Sequence, residues 1–555
     1  MFQQCYAKIR CLMACSIGIC WLWLLAWGAQ AATLVPGTGW TGATAQPPQQ
    51  RTGMAADKNA IARWDAVPCQ AISDSLNVGV VAFHINGIEK VSFSLDNGPW
   101  LDVTSMTLNP EDSVMEYWAT FKASTVSDGP VEIRAIAYPK VGVPRVLDSL
   151  LFLYANAGHS LPNTVKYVST IGNDITGDGT EAKPFKTIGK ATVAIRQAIG
   201  PLDGATIYLQ PGDYVYLPDP NVPYGSEPVT NNTYLTITAA LGITADQVGL
   251  VGGNAWGLST IRHVHIKGVT IKQTQLNSNG NYKTYFWIER TKVVGGGIAV
   301  DSAHAGVNAC KGTTGGSSIY GGLYVTESEF SNNCGNSLQG RLIRNTYIHN
   351  ISGDAFETPD LIVNTVVDTQ TQLAGQHADV YQNQYVLNDI IYGLRATNIT
   401  YCQGLSMDPP LTNIAIINTT IAITGSYHNS IFGGNMTNIY ILNSNFTGGC
   451  GYYSAPDSRA LVPNDFVIEN STLVGLGAYP GVTFRTTTKI TEKPQTLVVA
   501  VAPNIMVSLY DLMGRKVAEA PLGKIYQVRA LRSGIYLLVA NDGQPGKPLR
   551  HLVIK

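Results

Sequence analysis

The chain has 555 residues, too many for one ordinary core at roughly 100–200 residues per domain. Its formal net charge of −1 gives no electrostatic footprint for nucleic acid or for an anionic membrane surface, so no nucleic-acid partner is expected and nothing points to an anionic membrane. Glycine is abundant at 56 residues, and Asn and Thr are conspicuous between positions 160 and 475, a bias that suits many tight turns and stacked polar side chains.

Lys8 and Arg10 precede an uncharged apolar run from Cys11 to Ala29, and Ala29-Gln30-Ala31 has the small-x-small form of a signal-peptidase site. A signal peptide is expected over residues 1–31. No later stretch approaches the roughly 20 apolar residues of a spanning helix, so a secreted or cell-surface protein without a membrane span after cleavage is expected. Of nine cysteines, Cys5, Cys11, Cys15 and Cys20 leave with that segment. Cys69, Cys310, Cys334, Cys402 and Cys450 remain, an odd number that leaves at least one thiol free and shows no zinc-type spacing.

Residues 32–75, centred on Gln46-Pro47-Pro48-Gln49-Gln50, have the composition of a linker. Residues 76–157 alternate as strands, among them Val91-Ser92-Phe93-Ser94-Leu95 and Val131-Glu132-Ile133-Arg134-Ala135-Ile136-Ala137. Asp96-Asn97-Gly98 and Ser127-Asp128-Gly129-Pro130 mark turns between strands. A small β-sandwich is expected, with the role of a spacer. The segment resembles bacterial immunoglobulin-like (Ig-like) modules found beside carbohydrate-active domains.

An internal hexapeptide repeat follows. Its clearest copies are Val325-Thr326-Glu327-Ser328-Glu329-Phe330, Ile343-Arg344-Asn345-Thr346-Tyr347-Ile348, Ile416-Ile417-Asn418-Thr419-Thr420-Ile421 and Ile441-Leu442-Asn443-Ser444-Asn445-Phe446. Third positions of the whole series fall at 268, 290, 327, 345, 364, 396, 418, 443 and 470. Such intervals fit single turns of a β-solenoid, with loops in the longer ones and alternate apolar side chains stacked inside. The frequent third-position Asn suits a polar ladder at a bend.

Upstream lie Tyr167-Val168-Ser169, Gly172-Asn173-Asp174, Gly177-Asp178-Gly179-Thr180 and Lys183-Pro184-Phe185-Lys186-Thr187-Ile188. A short helix is expected from Lys190 to Ala198, then a strand at Ala205-Thr206-Ile207-Tyr208-Leu209. This order resembles the capping entry of pectate-lyase-like right-handed parallel β-helix proteins, and the resemblance covers residues 164–480. The fold class expected is therefore all-β, a right-handed parallel β-helix flanked by an Ig-like sandwich and a small C-terminal β-sandwich. That last unit, residues 492–555, carries Val507-Ser508-Leu509-Tyr510-Asp511-Leu512-Met513-Gly514-Arg515, Leu531-Arg532-Ser533-Gly534-Ile535-Tyr536-Leu537-Leu538-Val539 and His551-Leu552-Val553-Ile554-Lys555. It resembles the type A C-terminal sorting domain of the type IX secretion system, which implies that export machinery as a partner.

Chemistry is sought where outward side chains of successive rungs align. Gly353-Asp354-Ala355-Phe356-Glu357 and Ala378-Asp379-Val380-Tyr381-Gln382 lie 25 positions apart. Asp354 then stacks one rung from Asp379, both facing outward if Ala355 and Val380 face the core, with His377 sharing their parity. Carboxylates this close must share a proton, take a basic partner or coordinate a cation, and a calcium ion (Ca2+) held by Asp354 and Asp379 is the cofactor considered. His377 serves as acid or base near neutral pH, and Arg395 holds a substrate carboxylate. Gln382 and Gln403 suit sugar hydroxyls, with Tyr381 and Phe356 as stacking platforms. The function expected is a polysaccharide lyase acting on an extracellular acidic glycan. A glycoside hydrolase and a non-catalytic carbohydrate-binding or adhesive protein stand as alternatives on the same fold.

Overall fold

The hexapeptide is a strand, a bend and a second strand on the next face. The computed structural model describes residues 32–37, 58–147, 151–215, 229–251, 261–272, 285–295, 322–332, 338, 340–357, 359–372, 378–384, 388–408, 411–424, 429–433, 436–448, 450–454, 464–473 and 482–485, with four further strands between 506 and 554. Among these residues the solenoid strands stack in parallel into three faces. Face 1 has 13 strands, from Val165–Val168 to Val482–Arg485, and face 2 has 11, from Gly212–Val215 to Thr472–Leu473. Face 3 comprises Phe356–Glu357, Asp379–Gln384, Gln403–Asp408, Asn429–Gly433 and Cys450–Ser454. Each strand pairs with its equivalent one rung on, as Val363 with Tyr392 and Tyr392 with Ile417. The architecture is a right-handed parallel β-helix.

The third repeat position makes the bend between faces 1 and 2. Gly268, Arg290, Glu327, Asn345, Asn364, Gly393, Asn418, Asn443 and Asn470 all have positive φ, between 45° and 74°. Asn and Gly recur there because they tolerate the left-handed region, which costs other L-residues roughly 1–2 kcal/mol. One anchor is corrected: Gly393 (φ 74°) makes the bend in place of Ala396, which is buried in the core three residues later. The polar ladder inside the bend is formed by the following hydroxyl. Ser328, Thr346, Thr365, Thr419 and Ser444 each donate to the carbonyl two residues back, at 2.9–3.1 Å. An Asn ladder stands at the bend from face 3 into face 1 instead. There Asn438 Nδ2 donates to Asn413 Oδ1 at 2.8 Å and Asn413 Nδ2 to Asn388 Oδ1 at 2.6 Å.

The helix Ile188–Ile199 packs beside the first rung. Thr187 caps it, accepting the Lys190 N–H, and its buried Ile188, Ala191 and Ile195 join the solenoid core. It closes an end that would otherwise expose apolar rungs and strand edges.

The N-terminal unit is a two-sheet sandwich. Ile61–Asp65, Ser75–Phe83, Met115–Lys122 and Thr107–Leu108 form one sheet, and the other centres on Gly129–Pro139, Ile88–Leu95 and Leu151–Ala155. Residues 32–75, read as linker, contribute to it: Ile61–Asp65 pairs with Ser75–Phe83, and Leu34 is buried in the sandwich core. The composition signal was set by its Pro/Gln-rich centre, which hid the strand behind it.

The spacer role also gives way, because the sandwich is docked along face 1. Ile362 and Ile391 belong to the solenoid core, while Leu361, Val363, Ile390 and Tyr392 pack with Ile61, Val81, Ile85 and Val114 of the sandwich. Strands buried on both sides read as unbroken apolar runs, as Leu361-Ile362-Val363 and Ile390-Ile391-Tyr392 do. Each such side chain contributes roughly 1.5–3 kcal/mol when fully buried. Polar anchors cross the same joint. Lys58 Nζ lies 2.7 Å from Asp465 Oδ1, Arg145 Nη1 donates to Asn388 Oδ1 at 2.9 Å, and Arg485 Nη1 to the Ile85 carbonyl at 2.9 Å.

The four C-terminal strands form one antiparallel sheet in the order Lys516–Pro521, Met506–Asp511, Ile535–Ala540, Arg550–Ile554. Among the described residues no helix is long and apolar enough to cross a membrane.

Candidate active site at the bend into face 3

After the face 2 strand Val366–Thr371 the chain enters face 3 at Ala378 and Asp379. Register pairs Phe356 with Tyr381 and Glu357 with Gln382, then Asp379 with Gln403. Asp354, Asp379 and Gln403 therefore occupy one column on three successive rungs. The Asp379 N–H donates to Asp354 Oδ1 at 2.8 Å, and the Ala355 N–H donates to the Asp379 carbonyl at 2.9 Å. From the end of face 2, buried Gln370 donates through Nε2 to the Gly353 carbonyl at 2.7 Å and the Asp379 carbonyl at 2.8 Å. Its amide fixes the spacing of the two rungs at the corner.

The two aspartates differ in surroundings. Asp354 is half-buried, whereas Asp379 is fully enclosed, as are its neighbours Ala378 and Val380. The expectation that both face outward is corrected for Asp379. Asp379 lies two positions before core-filling Tyr381 in the strand Asp379–Gln384, so alternation along that strand sets it on the covered side. Burial pushes the Asp354 carboxyl up to about 6; the Asp379 N–H opposes that rise and the nearby Glu357 charge adds to it. Asp354 thus reaches solvent as an acid that keeps its proton to higher pH than an ordinary carboxyl.

Tyr381 and Phe356 are also corrected. Both are fully buried, and Tyr381 Oη donates to Asp389 Oδ2 at 3.0 Å inside the protein. They alternate with Gln382 and Glu357, so when the aromatics fill the core the polar residues take the outer side. Glu357, Gln382 and Ser406 form that outer column, with Glu357 and Gln382 half-buried and Ser406 covered. Gln403 is half-buried beside Asp379. Arg395 does not join the site, because it is exposed on face 2, in register with Val366 and Thr420. Its hexapeptide was aligned on Ala396 rather than Gly393, which misplaced it. His377 lies outside the described residues. Cys402 is a buried core residue whose thiol donates to the Thr400 carbonyl at 3.3 Å; burial pushes it up to about 12, helped by the charges of Asp379 and Asp354.

As calcium ligands, Asp354 and Asp379 fall short of the 6–8 oxygens such an ion takes. Asp354 Oδ1 already accepts an amide N–H, and Asp379 is enclosed.

Face 2 holds a polar group that sequence reasoning missed. His349 Nε2 lies 3.0 Å from Glu329 Oε1, and the Tyr347 and His349 rings stack at 4.5 Å. Tyr347 Oη donates to Asp368 Oδ2 at 3.3 Å, and Asn398 Nδ2 to Asp368 Oδ1 at 2.6 Å. The available signal was parity: Tyr347 and His349 follow the same bend residue, Asn345, at alternate positions and so share the outward side.

No family model matches the chain, and no curated protein matches it. Among solved structures the chain is similar to the catalytic domain of a GH87 alpha-1,3-glucanase in complex with nigerose, at 12% identity and a TM-score of 0.23, with 83% of each chain covered. It is also similar to a variant of a GH87 alpha-1,3-glucanase catalytic domain in complex with tetrasaccharides, at 10% identity and a TM-score of 0.21, covering 83% of this chain and 96% of that one.

Proposed function

We propose that this is a secreted carbohydrate-active enzyme that hydrolyses a polysaccharide at the bend into face 3, with Asp354 as proton donor. The observation that carries the reading is the half-buried Asp354 carboxyl, pushed up to about 6 beside a second acid, Glu357. Glycoside hydrolysis needs one carboxyl that is still protonated to meet the leaving oxygen and a second carboxylate opposite it. Asp354 takes the first role and Glu357 is the candidate for the second. Asp379 is a positioning residue, since its backbone N–H orients the Asp354 carboxyl. Gln382 and Gln403 offer amides to sugar hydroxyls, and His377 is a further acid or base from the adjoining segment.

Elimination on an acidic glycan is the less supported chemistry, because its expected carboxylate clamp, Arg395, belongs to face 2. Delivery to the cell exterior by a signal peptide over 1–31 and a type IX sorting unit over 492–555 is part of the same proposal and rests on their sequence motifs. The test is incubation of the purified protein with a panel of neutral and acidic glycans, reading reducing ends and ultraviolet absorbance. New reducing ends without new absorbance, lost in Asp354→Asn, are expected. A rise in absorbance would establish a lyase instead.

A second reading is favoured by the face 2 group. The stacked Tyr347–His349 pair with Glu329 and Asp368 suits non-catalytic glycan binding. It requires glycan retention that Tyr347→Ala abolishes and Asp354→Asn leaves intact, with no reducing ends from either.

A further inference from the structure

The joint between sandwich and solenoid contains a buried cluster with unmatched charge. Asp65 ends the strand Ile61–Asp65, Glu116 lies in Met115–Lys122, and Asp112 sits in the turn just before it. Arg344 reaches them from the solenoid strand Leu342–Arg344, with Nη1 2.6 Å from Asp65 Oδ1 and 2.9 Å from Asp112 Oδ2. Oxygens of the three carboxyls all lie within 4.8 Å of one another, and Asp65 and Glu116 are fully enclosed. Asn109 Nδ2 donates to Glu116 Oε1 at 2.8 Å, and Asn345 Nδ2 donates to the Asp112 carbonyl at 2.7 Å. Among the described residues, the other titratable groups facing the cluster are Glu111 on the same turn and Tyr392 on face 1.

Three carboxyls therefore meet one guanidinium. Fully ionised, they would leave two negative charges in excess in a buried joint, where like charges a few ångströms apart repel strongly. Elsewhere in the joint Lys58 and Asp465 pair one to one. We propose that Asp65, Asp112, Glu116 and Arg344 form a proton-loaded latch that seats the sandwich on face 1 in acid and loosens there as pH rises. Burial and carboxyl repulsion support it: burial pushes Asp112 up to about 7 despite Arg344, with the charge of Asp65 adding. Burial also raises Glu116 well above the ordinary range, with Asp112 and Asp65 adding, and raises Asp65 against the pull of Arg344.

The sign follows from linkage. Groups raised in the folded state bind more protons there than in the open state. Their stabilisation is complete below the ordinary carboxylate range of about 4 and is lost as pH rises through about 7 for Asp112, with Glu116, likewise raised, losing its share in the same direction. The latch is independent of the glycan chemistry proposed above.

The test is hydrogen exchange of the full chain at about pH 5.5 and about pH 8.5, corrected for intrinsic exchange rates, followed over residues 61–65 and 115–122. Exchange at these strands is expected to rise tenfold or more at the higher pH, while the solenoid strand Leu411–Ile417 stays protected. Glu116→Gln and, separately, Asp112→Asn mimic the protonated forms and are expected to flatten that rise. Equal pH sensitivity in wild type and both variants overturns the latch, as does pH-independent protection, or loss of protection spread evenly over the solenoid.

Discussion

The Asp379 amide donates to Asp354 Oδ1 at 2.8 Å across one rung of the solenoid. This bond joins an enclosed residue to one that solvent reaches, and it divides their roles. Asp379 sets the corner, and Asp354 presents a carboxyl to whatever lies along face 3. Replacing the side chain of Asp354 therefore tests chemistry, and replacing core residues behind it tests only stability.

Asp354→Asn keeps an oxygen for the Asp379 N–H but carries no transferable proton. Turnover is expected to fall by about two orders of magnitude or more, with stability changed by no more than about 1 kcal/mol. Reducing-end kinetics and denaturant unfolding check the two halves separately.

The pH profile of the wild-type enzyme provides an independent check. Since Asp354 is raised to about 6, the donor is present below that value and kcat/KM falls as pH climbs through it. The proton-linked part of stability moves in the same direction, lost as pH rises from about 4 through about 6. A basic limb set near 4 instead would remove Asp354 as the acid.

Tyr381→Phe removes a buried hydroxyl that donates to Asp389 Oδ2. A cost of about 1–3 kcal/mol is expected, since a buried acceptor loses a partner. Glycan affinity should not move, because the ring is enclosed; calorimetric binding and thermal unfolding distinguish the outcomes.

At the exposed bend residue Asn418, with φ of 51°, Asn418→Gly is expected to be nearly neutral. Asn418→Val should cost about 1–2 kcal/mol, because a β-branched side chain strains the left-handed conformation. Urea midpoints of the two variants measure the difference.

Lys58→Met leaves Asp465 buried without its 2.7 Å partner and is expected to destabilise the docked sandwich by about 3–5 kcal/mol. Combining it with Asp465→Leu should restore most of that loss, because the desolvated charge is then gone. A double-mutant cycle in thermal unfolding reads the coupling.

The sequence by itself determined the solenoid. Apolar alternation and the Asn/Gly that a left-handed bend requires are local demands, repeated on every rung, so a single chain displays them several times over. It also determined the pairing of Asp354 with Asp379, because parallel register in a solenoid follows from counting residues between repeats. Only the tertiary structure decided which sides of those rungs are covered. The sandwich lies against face 1, so Val363 and Tyr392 are buried there as Ile362 and Ile391 are within, and no local pattern separates the two burials. Asp379 is enclosed because it shares the parity of core-filling Tyr381, and Arg395 sits on face 2 because the bend falls at Gly393. The carboxyl cluster around Arg344 joins residues as far apart as Asp65 and Arg344, a meeting fixed by the docking of two separate cores.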